Sequence, residues 1–176
     1  GKQIKQIENL VNEFSDFARM PKPILKDNNL VTLIKDNVKL INEVDDKITI
    51  DFKSNKLDIF LNSDGEQMSR VFFNLIKNSI ESIQDKKTHN VDFIGKIDIS
   101  LNDNAKKINF IIIDNGLGFI KFADNIKNIL NPYFTTKKKG TGLGLSIVNK
   151  IINDHNGKID FISLENGAKI EIIFTK

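Results

Sequence analysis

The sequence predicts an α+β fold: a two-layer α/β sandwich of helices packed on a mixed, mostly antiparallel sheet. Apolar residues recur at spacings of three and four over residues 64–84 and 142–153, which is typical of amphipathic helices. Apolar residues alternate over residues 97–101 and 107–113, which is typical of strands. Helices and strands follow one another irregularly, and this order favours the α+β class over a regular parallel sheet.

The composition limits the class of protein. With 176 residues, 40% of them hydrophobic, the chain can bury one sizeable core without metals or crosslinks. It contains no cysteine, which excludes a disulfide scaffold and a thiolate zinc site and agrees with a reducing compartment. The formal charge of +3 comes from 26 basic and 23 acidic residues spread along the chain, so it does not indicate nucleic acid or an anionic membrane as a partner. The longest apolar run, residues 110–113, is far too short to span a bilayer, so we expect a soluble chain.

The first 20 residues predict a helix that needs a partner helix. Its apolar positions alternate at spacings of three and four, as in the seam of a coiled coil. They are Ile4, Ile7, Val11, Phe14 and Ala18. Pro21 and Pro23 end this helix, because proline lacks an amide hydrogen and disfavours helix at the preceding residue. Gly1 stands directly before the pattern, so we expect the chain to be a piece of a longer protein, with a helix and linker at 1–22 and a main domain at 23–176.

The remaining elements of the main domain follow from the same two patterns. They are a helix over residues 30–41, strands over 48–52, 57–61, 158–163 and 168–174, and an Asn166-Gly167 turn between the last two strands. The strand at 107–113 is apolar enough to lie in the middle of a sheet. Residues 119 to about 140 give neither pattern, and we interpret them as a mobile lid.

The long helix at 64–84 has a capped start and two distinct faces. Asp64 is a good N-cap, and Gln67 completes a capping box of the Asp-x-x-Gln kind. We predict that the helix ends near Gln84 and that residues 86–93 are irregular. At 100° per residue, its apolar side chains share one face and its polar ones the other. The polar face carries Arg70, Asn74, Asn78 and Glu81.

The two asparagines of this polar face allow two interpretations. Asn74 and Asn78 are four residues apart, and such a pair most often belongs to the solvated face of an ordinary amphipathic helix. Alternatively, carboxamide oxygens are hard, neutral ligands that can join phosphate oxygens and water around Mg²⁺. The residues of this helix alone do not decide between the two.

Asp114 stands where the apolar strand 107–113 gives way to two glycines, Gly116 and Gly118. Its carboxylate would lie at the lip of the sheet, where glycines let the flat face of a ligand approach the backbone. A plain Asp-Asn-Gly turn explains the segment equally well. A dinucleotide fingerprint is excluded because Lys121 occupies the position of the third glycine, and no Gly-Lys-Ser/Thr segment follows a strand as in a Walker loop.

A glycine-rich segment leads into the helix at 142–153. Gly140, Gly142 and Gly144 alternate with Thr141 and Leu143, so several backbone amides and the positive end of the helix are exposed to a ligand. A flexible hinge is the alternative. Three lysines just upstream, at 137–139, favour phosphate binding over the hinge.

Four segments, taken in order, resemble the N, G1, F and G2 boxes of bacterial sensor histidine kinases. They are Asn74-Leu75-Ile76-Lys77-Asn78, Asp114-Asn115-Gly116-Leu117-Gly118-Phe119, Pro132-Tyr133-Phe134-Thr135-Thr136-Lys137 and Gly140-Thr141-Gly142-Leu143-Gly144-Leu145. The resemblance covers about residues 30–176 and implies the catalytic ATP-binding domain, of the Bergerat type, that gyrase, chaperone and MutL type ATPases share. Residues 14–21 resemble the end of the second dimerisation helix in nitrogen-regulation sensor kinases of the NtrY type, which implies that the chain begins with a remnant of that helix.

The resemblance implies a role for each matching residue. Asn78 would coordinate Mg²⁺, Asn74 would assist at the phosphates, and Asp114 would accept a hydrogen bond from the adenine amino group. Asn74 and the lid residue Lys137, placed to contact the γ-phosphate, would be the catalytic residues. The other implied nucleotide contacts are Gly116, Gly118, Phe119, Thr136, Thr141, Gly142, Leu143, Gly144 and Leu145.

Three departures from the family pattern refine the expected activity. Hydrolytic relatives carry a glutamate where Asn74 stands, and an amide cannot take a proton from water, so we expect a kinase rather than an ATPase. Glu81 and Ser82 replace a common lysine–aromatic pair, which removes a basic phosphate contact. Ala168 stands where a small hydroxyl residue is common, at a secondary adenine contact.

The resemblance also implies partners and a location. The partners would be ATP with Mg²⁺, the dimerisation and phosphoacceptor helices of the parent kinase, and the receiver domain of a response regulator, with homodimer formation through the first helix. The family's phosphoacceptor histidine would precede Gly1, and His89 and His155 are predicted to be solvated surface residues. We therefore expect the chain to bind Mg-ATP without phosphorylating itself. A cytoplasmic location is expected, with the parent protein anchored in the inner membrane.

Two other functions stay open from the sequence. One is a nucleotide-sensing module, in which ATP orders the lid and changes partner contacts without phosphotransfer. The other is that the first helix serves only for dimerisation.

Overall fold

The structure is a computed structural model that describes residues 3–5, 7–8, 19–44, 47–119 and 144–176. Its elements, in chain order, are β1 (Lys26–Asn29), α1 (Leu30–Val44), β2 (Thr49–Ser54), β3 (Phe60–Ser63), α2 (Gly65–His89), β4 (Lys96–Asp103), β5 (Lys107–Asp114), α3 (Gly144–Asp154), β6 (Lys158–Leu164) and β7 (Gly167–Thr175). Within these ranges, none of the helices combines the length and the apolar character that crossing a membrane requires.

Five strands form one mixed sheet in the order β2-β4-β5-β7-β6. Only β2 and β4 pair in parallel among the described strands of this sheet; the other three pairs are antiparallel. The apolar strand β5 lies in the middle, as its sequence predicts. The predicted α+β two-layer architecture is confirmed, because the helices pack against this sheet. A separate two-stranded sheet pairs β1 with β3.

The core lies between α2 and the middle of the sheet. Every second residue of β5 is buried, and its Phe110 ring lies 5.1 Å from that of Phe72 on α2. Burial of a side chain of this size contributes about 1.5–3 kcal/mol. The apolar face predicted for α2 is confirmed, since all its members are buried: Met68, Val71, Phe72, Leu75, Ile76, Ile80 and Ile83. This packing fixes how α2 is rotated on the sheet and therefore where its polar residues lie.

Helix α2 continues past its predicted end at Gln84 and ends at His89. The prediction of an irregular segment at 86–93 was wrong for its first four residues. No glycine or proline interrupts residues 85–89, and Lys86, Lys87 and His89 place positive charge in the last turn. The negative end of the helix dipole favours that charge.

The start of α2 confirms one half of the predicted capping box and corrects the other. Asp64 is the N-cap, and its Oδ1 accepts a hydrogen bond from the Gln67 amide at 3.1 Å. The reciprocal bond is absent among the described contacts: the Gln67 side chain donates to the Pro21 carbonyl, and the Asp64 amide donates to Nε2 of His155. Asp64 Oδ2 accepts from the Ile24 amide at 2.9 Å. The cap of α2 therefore also holds the segment that leads in from the N-terminus.

Two strand predictions need correction. Strand β1 was not predicted, because Lys26–Asn29 has no apolar alternation; it forms by pairing with β3. The strand predicted at 57–61 begins only at Phe60. Leu57, which suggested the earlier start, is 88% exposed.

The other helices and strands agree with their predicted positions to within a few residues. The N-terminal helix is described only at residues 3–5 and 7–8, which are helical, and Ile4 and Ile7 are exposed there. Val11, Phe14 and Ala18 lie outside the described residues, as does nearly all of the predicted lid. The last helix is described from Gly144, so its predicted start at residue 142 lies outside too.

We expect Asp64→Ala to lower the free energy of unfolding by about 1 kcal/mol at neutral pH, because the N-cap bond is lost. Urea denaturation followed by circular dichroism measures this change. Asp92→Ala is the matched control, since Asp92 is exposed and lies outside the regular elements. Equal stability of the Asp64 variant and the wild type would contradict the assigned cap.

The same variant carries a pH dependence. Partial burial alone raises the pKa of the Asp64 carboxyl, but hydrogen bonds from backbone amides, those of Ile24 and Gln67 first, outweigh it and hold the pKa below its usual value of 3.8. A carboxyl whose pKa is lowered in the folded state stabilises the fold at pH values above its ordinary pKa. This stabilisation is lost as the pH falls through the lower pKa of the folded state. The stability gap between wild type and Asp64→Ala should therefore narrow in acid.

Candidate functional site

Several of the predicted site residues that the structure describes lie on helix α2 or next to it: Asn74, Asn78, Asp114, Gly116 and Gly144. Asp114 ends β5, and its side chain is buried, with 7% of the residue exposed. Its Oδ2 accepts a hydrogen bond from the Ser79 hydroxyl at 3.0 Å, and its Oδ1 accepts one from the Gly116 amide at 2.9 Å. The carboxylate is thus held from both sides, by the helix and by its own loop.

The loop after Asp114 is attached to α2 at two further points. The Ser82 hydroxyl accepts a hydrogen bond from the Leu117 amide at 2.9 Å, and Lys86 Nζ donates to the Asn115 carbonyl at the same distance. Ser79, Ser82 and Lys86 follow one another at spacings of three and four, so they share one face of the helix. This face supports the whole loop from 114 to 117.

The Asn115 side chain fastens the other side of the loop to the start of β4. Its Oδ1 accepts from the Lys96 amide at 2.8 Å, and its Nδ2 donates to the Ile94 carbonyl at 3.0 Å. Lys86 also lies over the Phe93 ring, 4.4 Å from its centroid, in a cation–π contact. The loop therefore cannot shift without breaking contacts to two elements.

The structure shows why glycine stands at positions 116 and 118 of this loop, which the sequence alone did not explain. Gly118 has φ of +77°, and a side chain there would lie 2.6 Å from the carbonyl oxygen of Gly167. A side chain at Gly116 would lie 2.4 Å from the Ser82 hydroxyl. Both positions exclude a Cβ because the loop packs closely on the β6–β7 turn and on α2. The predicted approach of a ligand to these glycines stays a prediction.

The N-terminal end of α3 as described reaches the same helix from another direction. A Cβ atom at Gly144 would lie 4.0 Å from both Nδ2 and Oδ1 of Asn78. The first turn of a helix carries amide groups without intrahelical partners, and the helix dipole adds partial positive charge there. A hard amide oxygen and a positive helix end therefore lie side by side, which suits a cation and the anion that it accompanies.

Of the other predicted nucleotide contacts, the structure describes three. Asn74 is half-buried, one turn before Asn78 on α2, and Leu145 is half-buried in the first turn of α3. Phe119 packs edge-on against Phe161 of β6, with ring centroids 5.9 Å apart. The remaining predicted contacts lie outside the described residues: Thr136, Lys137, Thr141, Gly142 and Leu143.

One histidine prediction was wrong. His89 is exposed, as predicted, but His155 is half-buried and bonded through both ring nitrogens. Its Nε2 accepts from the Asp64 amide at 3.0 Å, so the neutral ring carries its proton on Nδ1, which lies 2.7 Å from the Ile151 carbonyl. His155 joins the end of α3 to the start of α2.

The sequence did not predict the supporting residues Ser79, Lys86 and Asn115, and Ser82 stood out only as a departure from the family pattern. The sequence does carry a signal for the residues on α2, because polar residues at 79, 82 and 86 recur at helical spacing and therefore share one face of the helix. That signal becomes useful only once the loop is known to lie against this face.

The donor set fits a magnesium nucleotide. Asp114 offers a carboxylate acceptor at one end, and Asn78 with the start of α3 offers an amide oxygen and backbone donors at the other. Among the described residues, acidic and histidine side chains do not gather in groups of three that could hold a metal by themselves. A bound Mg²⁺ would therefore share Asn78 with phosphate oxygens and water.

Comparison with known proteins identifies the family. Residues 63–176 match the family described as histidine kinase-, DNA gyrase B-, and HSP90-like ATPase. The chain belongs to this family. An NtrY-like sensor histidine kinase of Rickettsia felis is 36% identical over 169 residues, which is 96% of this chain and 27% of that protein. The chain thus spans about a quarter of the length of this relative.

Solved structures of this family agree. The catalytic domain of histidine kinase ThkA has a TM-score of 0.73 and 31% identity, over 86% of this chain and 95% of that one. ThkA in complex with the response regulator protein TrrA gives a TM-score of 0.78 and 27% identity, over 99% of this chain and 48% of that one. The resemblance to the catalytic ATP-binding domain of sensor histidine kinases of the NtrY type is confirmed.

We expect Gly118→Ala to lower the stability of this ATPase-family domain by at least about 2 kcal/mol, because a side chain is strained at positive φ and clashes with the Gly167 carbonyl. Thermal unfolding measures the loss. Gly144→Ala is the matched control, since among the described residues its Cβ would meet only the Asn78 side chain, at 4.0 Å, and alanine favours helix. A Gly118 variant as stable as the control would contradict the described loop.

Proposed function

We propose that this chain is the ATP-binding catalytic module of a sensor histidine kinase. It positions Mg-ATP for transfer of the γ-phosphoryl group to a histidine on a dimerisation domain, from which the group passes to a response regulator. One observation carries the proposal. Ser79 holds the carboxylate predicted to read adenine, and its neighbour Asn78 lies against the start of α3, where phosphates are predicted to bind. Two adjacent residues of one helix would thus position the base end and the phosphate end of a bound nucleotide.

At the base end, Asp114 accepts a hydrogen bond from the amino group of adenine. A carboxylate has about four acceptor sites, more than the two bonds from Ser79 and Gly116 use. The burial of Asp114 makes this bond selective, since a ligand that lacks the donor would bring no hydrogen bond to a buried carboxylate.

At the phosphate end, the backbone amides at the start of α3 donate to phosphate oxygens. Gly144 and Leu145 supply the described part of this surface, and Thr141, Gly142 and Leu143 would complete it. Asn78 would hold Mg²⁺, whose chemistry when bound is to neutralise phosphate charge. The chain's own contribution is positioning and charge compensation, because phosphoryl transfer requires little covalent help from the protein.

Asn74 favours transfer over hydrolysis. Its carboxamide lies one turn from Asn78, and it can orient a phosphate but cannot accept a proton from water. The lid at about 119–140, with Thr136 and Lys137, would close over the γ-phosphate, with Lys137 as the cationic contact. Residues 23–176 would be the catalytic domain, and residues 1–22 the remnant of the dimerisation helix and its linker.

The proposed macromolecular partners are the phosphoacceptor helices of the parent protein and a receiver domain. The relative ThkA forms a complex with the response regulator protein TrrA, and this supports a receiver partner here. The exposed Ile4 and Ile7 of the N-terminal segment support a partner helix, including that of a second copy. The cytoplasmic location and a membrane-anchored parent remain predictions.

We expect the chain to bind Mg-ATP and a non-hydrolysable analogue in calorimetric titrations, and Asn78→Ala to weaken binding at least about tenfold, or 1.4 kcal/mol. The variant should also bind equally with and without Mg²⁺, because its metal ligand is gone. Asn153→Ala is the matched control, as an exposed asparagine at the far end of α3. Wild-type affinity in Asn78→Ala would contradict the proposed metal site.

We expect no acid-labile label on the chain alone after incubation with γ-labelled ATP. Neither histidine is suited to accept it, because His89 lies at the end of α2 and His155 uses both ring nitrogens. Addition of a separate chain that carries the phosphoacceptor helix should give label on that helix. Stable label on the chain alone would contradict the prediction, and ATP binding without any transfer would favour the nucleotide-sensing module.

A further inference from the structure

Ser79 is a buried serine that the sequence analysis did not assign to the site. It follows Asn78 on α2, and only 4% of it is exposed. Its hydroxyl donates to Asp114 Oδ2 at 3.0 Å, across 35 residues of sequence. A buried hydroxyl without a partner is costly, so this contact accounts for a polar residue at a buried position of the helix.

The contact controls the orientation of the Asp114 carboxylate. The Gly116 amide, 2.9 Å from Oδ1, fixes one oxygen, and the Ser79 hydroxyl fixes the other. The two donors belong to different elements, so rotation of the carboxylate breaks at least one bond. A group already held in its binding orientation loses less conformational freedom when a ligand binds.

The position across the sheet cannot supply this hydroxyl. The register of β5 and β7 pairs Asp114 with Ala168, whose buried methyl group is no donor. The hydroxyl that holds Asp114 therefore comes from the helix side of the pocket. Its bond to a carboxylate is charge-assisted, which makes it stronger than a bond between neutral groups.

We infer that Ser79 is a positioning residue that sets the preference of the site for purines with an amino group at C6. The inference rests on the proposed function, in which Asp114 accepts a hydrogen bond from that amino group. Loss of the Ser79 hydroxyl removes the hydrogen bond that Oδ2 receives from α2 and so weakens the constraint on the orientation of the carboxylate. Binding then weakens for ATP, whose amino group uses the carboxylate, and changes little for a nucleotide without that group.

The test compares ATP with purine riboside triphosphate, which differs from ATP only by the missing amino group. Calorimetric titrations with Mg²⁺ give both affinities for wild type, Ser79→Ala and Ser79→Thr. Ser79→Ala should weaken ATP about tenfold, as expected for a lost bond to a charged group, and leave the other nucleotide nearly unchanged. Ser79→Thr retains the hydroxyl and should retain the preference for ATP.

Ser63→Ala is the matched control for the loss of a buried hydroxyl. Ser63 is fully buried, and its hydroxyl donates to the Leu61 carbonyl at 2.9 Å, in the β1–β3 sheet. This variant should lose stability but keep the wild-type ratio of the two affinities. Circular dichroism verifies that each variant is folded, and Ser79→Cys, with its weak thiol donor, replaces Ser79→Ala if the alanine variant does not fold.

The outcomes separate this inference from the proposed function. Suppose that the wild type binds ATP. If Ser79→Ala then weakens the binding of both nucleotides equally, or the binding of neither, Ser79 does not set the preference for the amino group. A wild type that binds neither nucleotide would overturn the proposed function itself, and this inference with it. A selective loss for ATP supports both.

Discussion

A buried carboxylate at the end of the middle strand constrains everything around it, because charge removed from water must be met by hydrogen-bond donors. Asp114 receives these donors from α2 and from its own loop. The helix can reach it only because Phe72 and its apolar neighbours press α2 onto β5. The loop can reach it only because Gly116 has no side chain to collide with Ser82. The geometry of the site therefore depends on the packing of α2 on β5 and on the close approach of the loop to α2.

Helix α2 connects three parts of the molecule that are far apart in sequence. Its N-cap holds the Pro21–Ile24 segment, its middle holds Asp114 and borders Gly144, and its last turns hold the loop at Asn115. An α-helix is stiff and rises 1.5 Å per residue, so the spacing between these contacts is fixed by its backbone geometry. Helix α2 thus sets the relative positions of the linker, the proposed base pocket and the proposed phosphate site.

The hydroxyl that contacts Asp114 comes from helix α2 and not from the neighbouring strand. Ala168 pairs with Asp114 across the sheet and has no hydroxyl, and the donor is Ser79. A carboxylate can be oriented by a donor on either side, because its two oxygens are equivalent acceptors. Lys86 adds a second contact between the helix and this loop, because its ammonium group donates to the Asn115 carbonyl and also lies over the Phe93 ring.

The sequence by itself determined the fold class, the apolar face of α2, the central position of β5 and the Asp64 cap. Each follows from local periodicity or from a single short-range hydrogen bond, and these are readable from neighbouring residues. Four motifs in order were enough to indicate the family. Tertiary structure decided what depends on residues distant in sequence: the pairing that creates β1, the partners of Gln67 and His155, and the contact of Ser79 with Asp114. A polar side chain on a helix satisfies its hydrogen bonds with whatever the fold places beside it, and one-dimensional spacing carries no record of that neighbour.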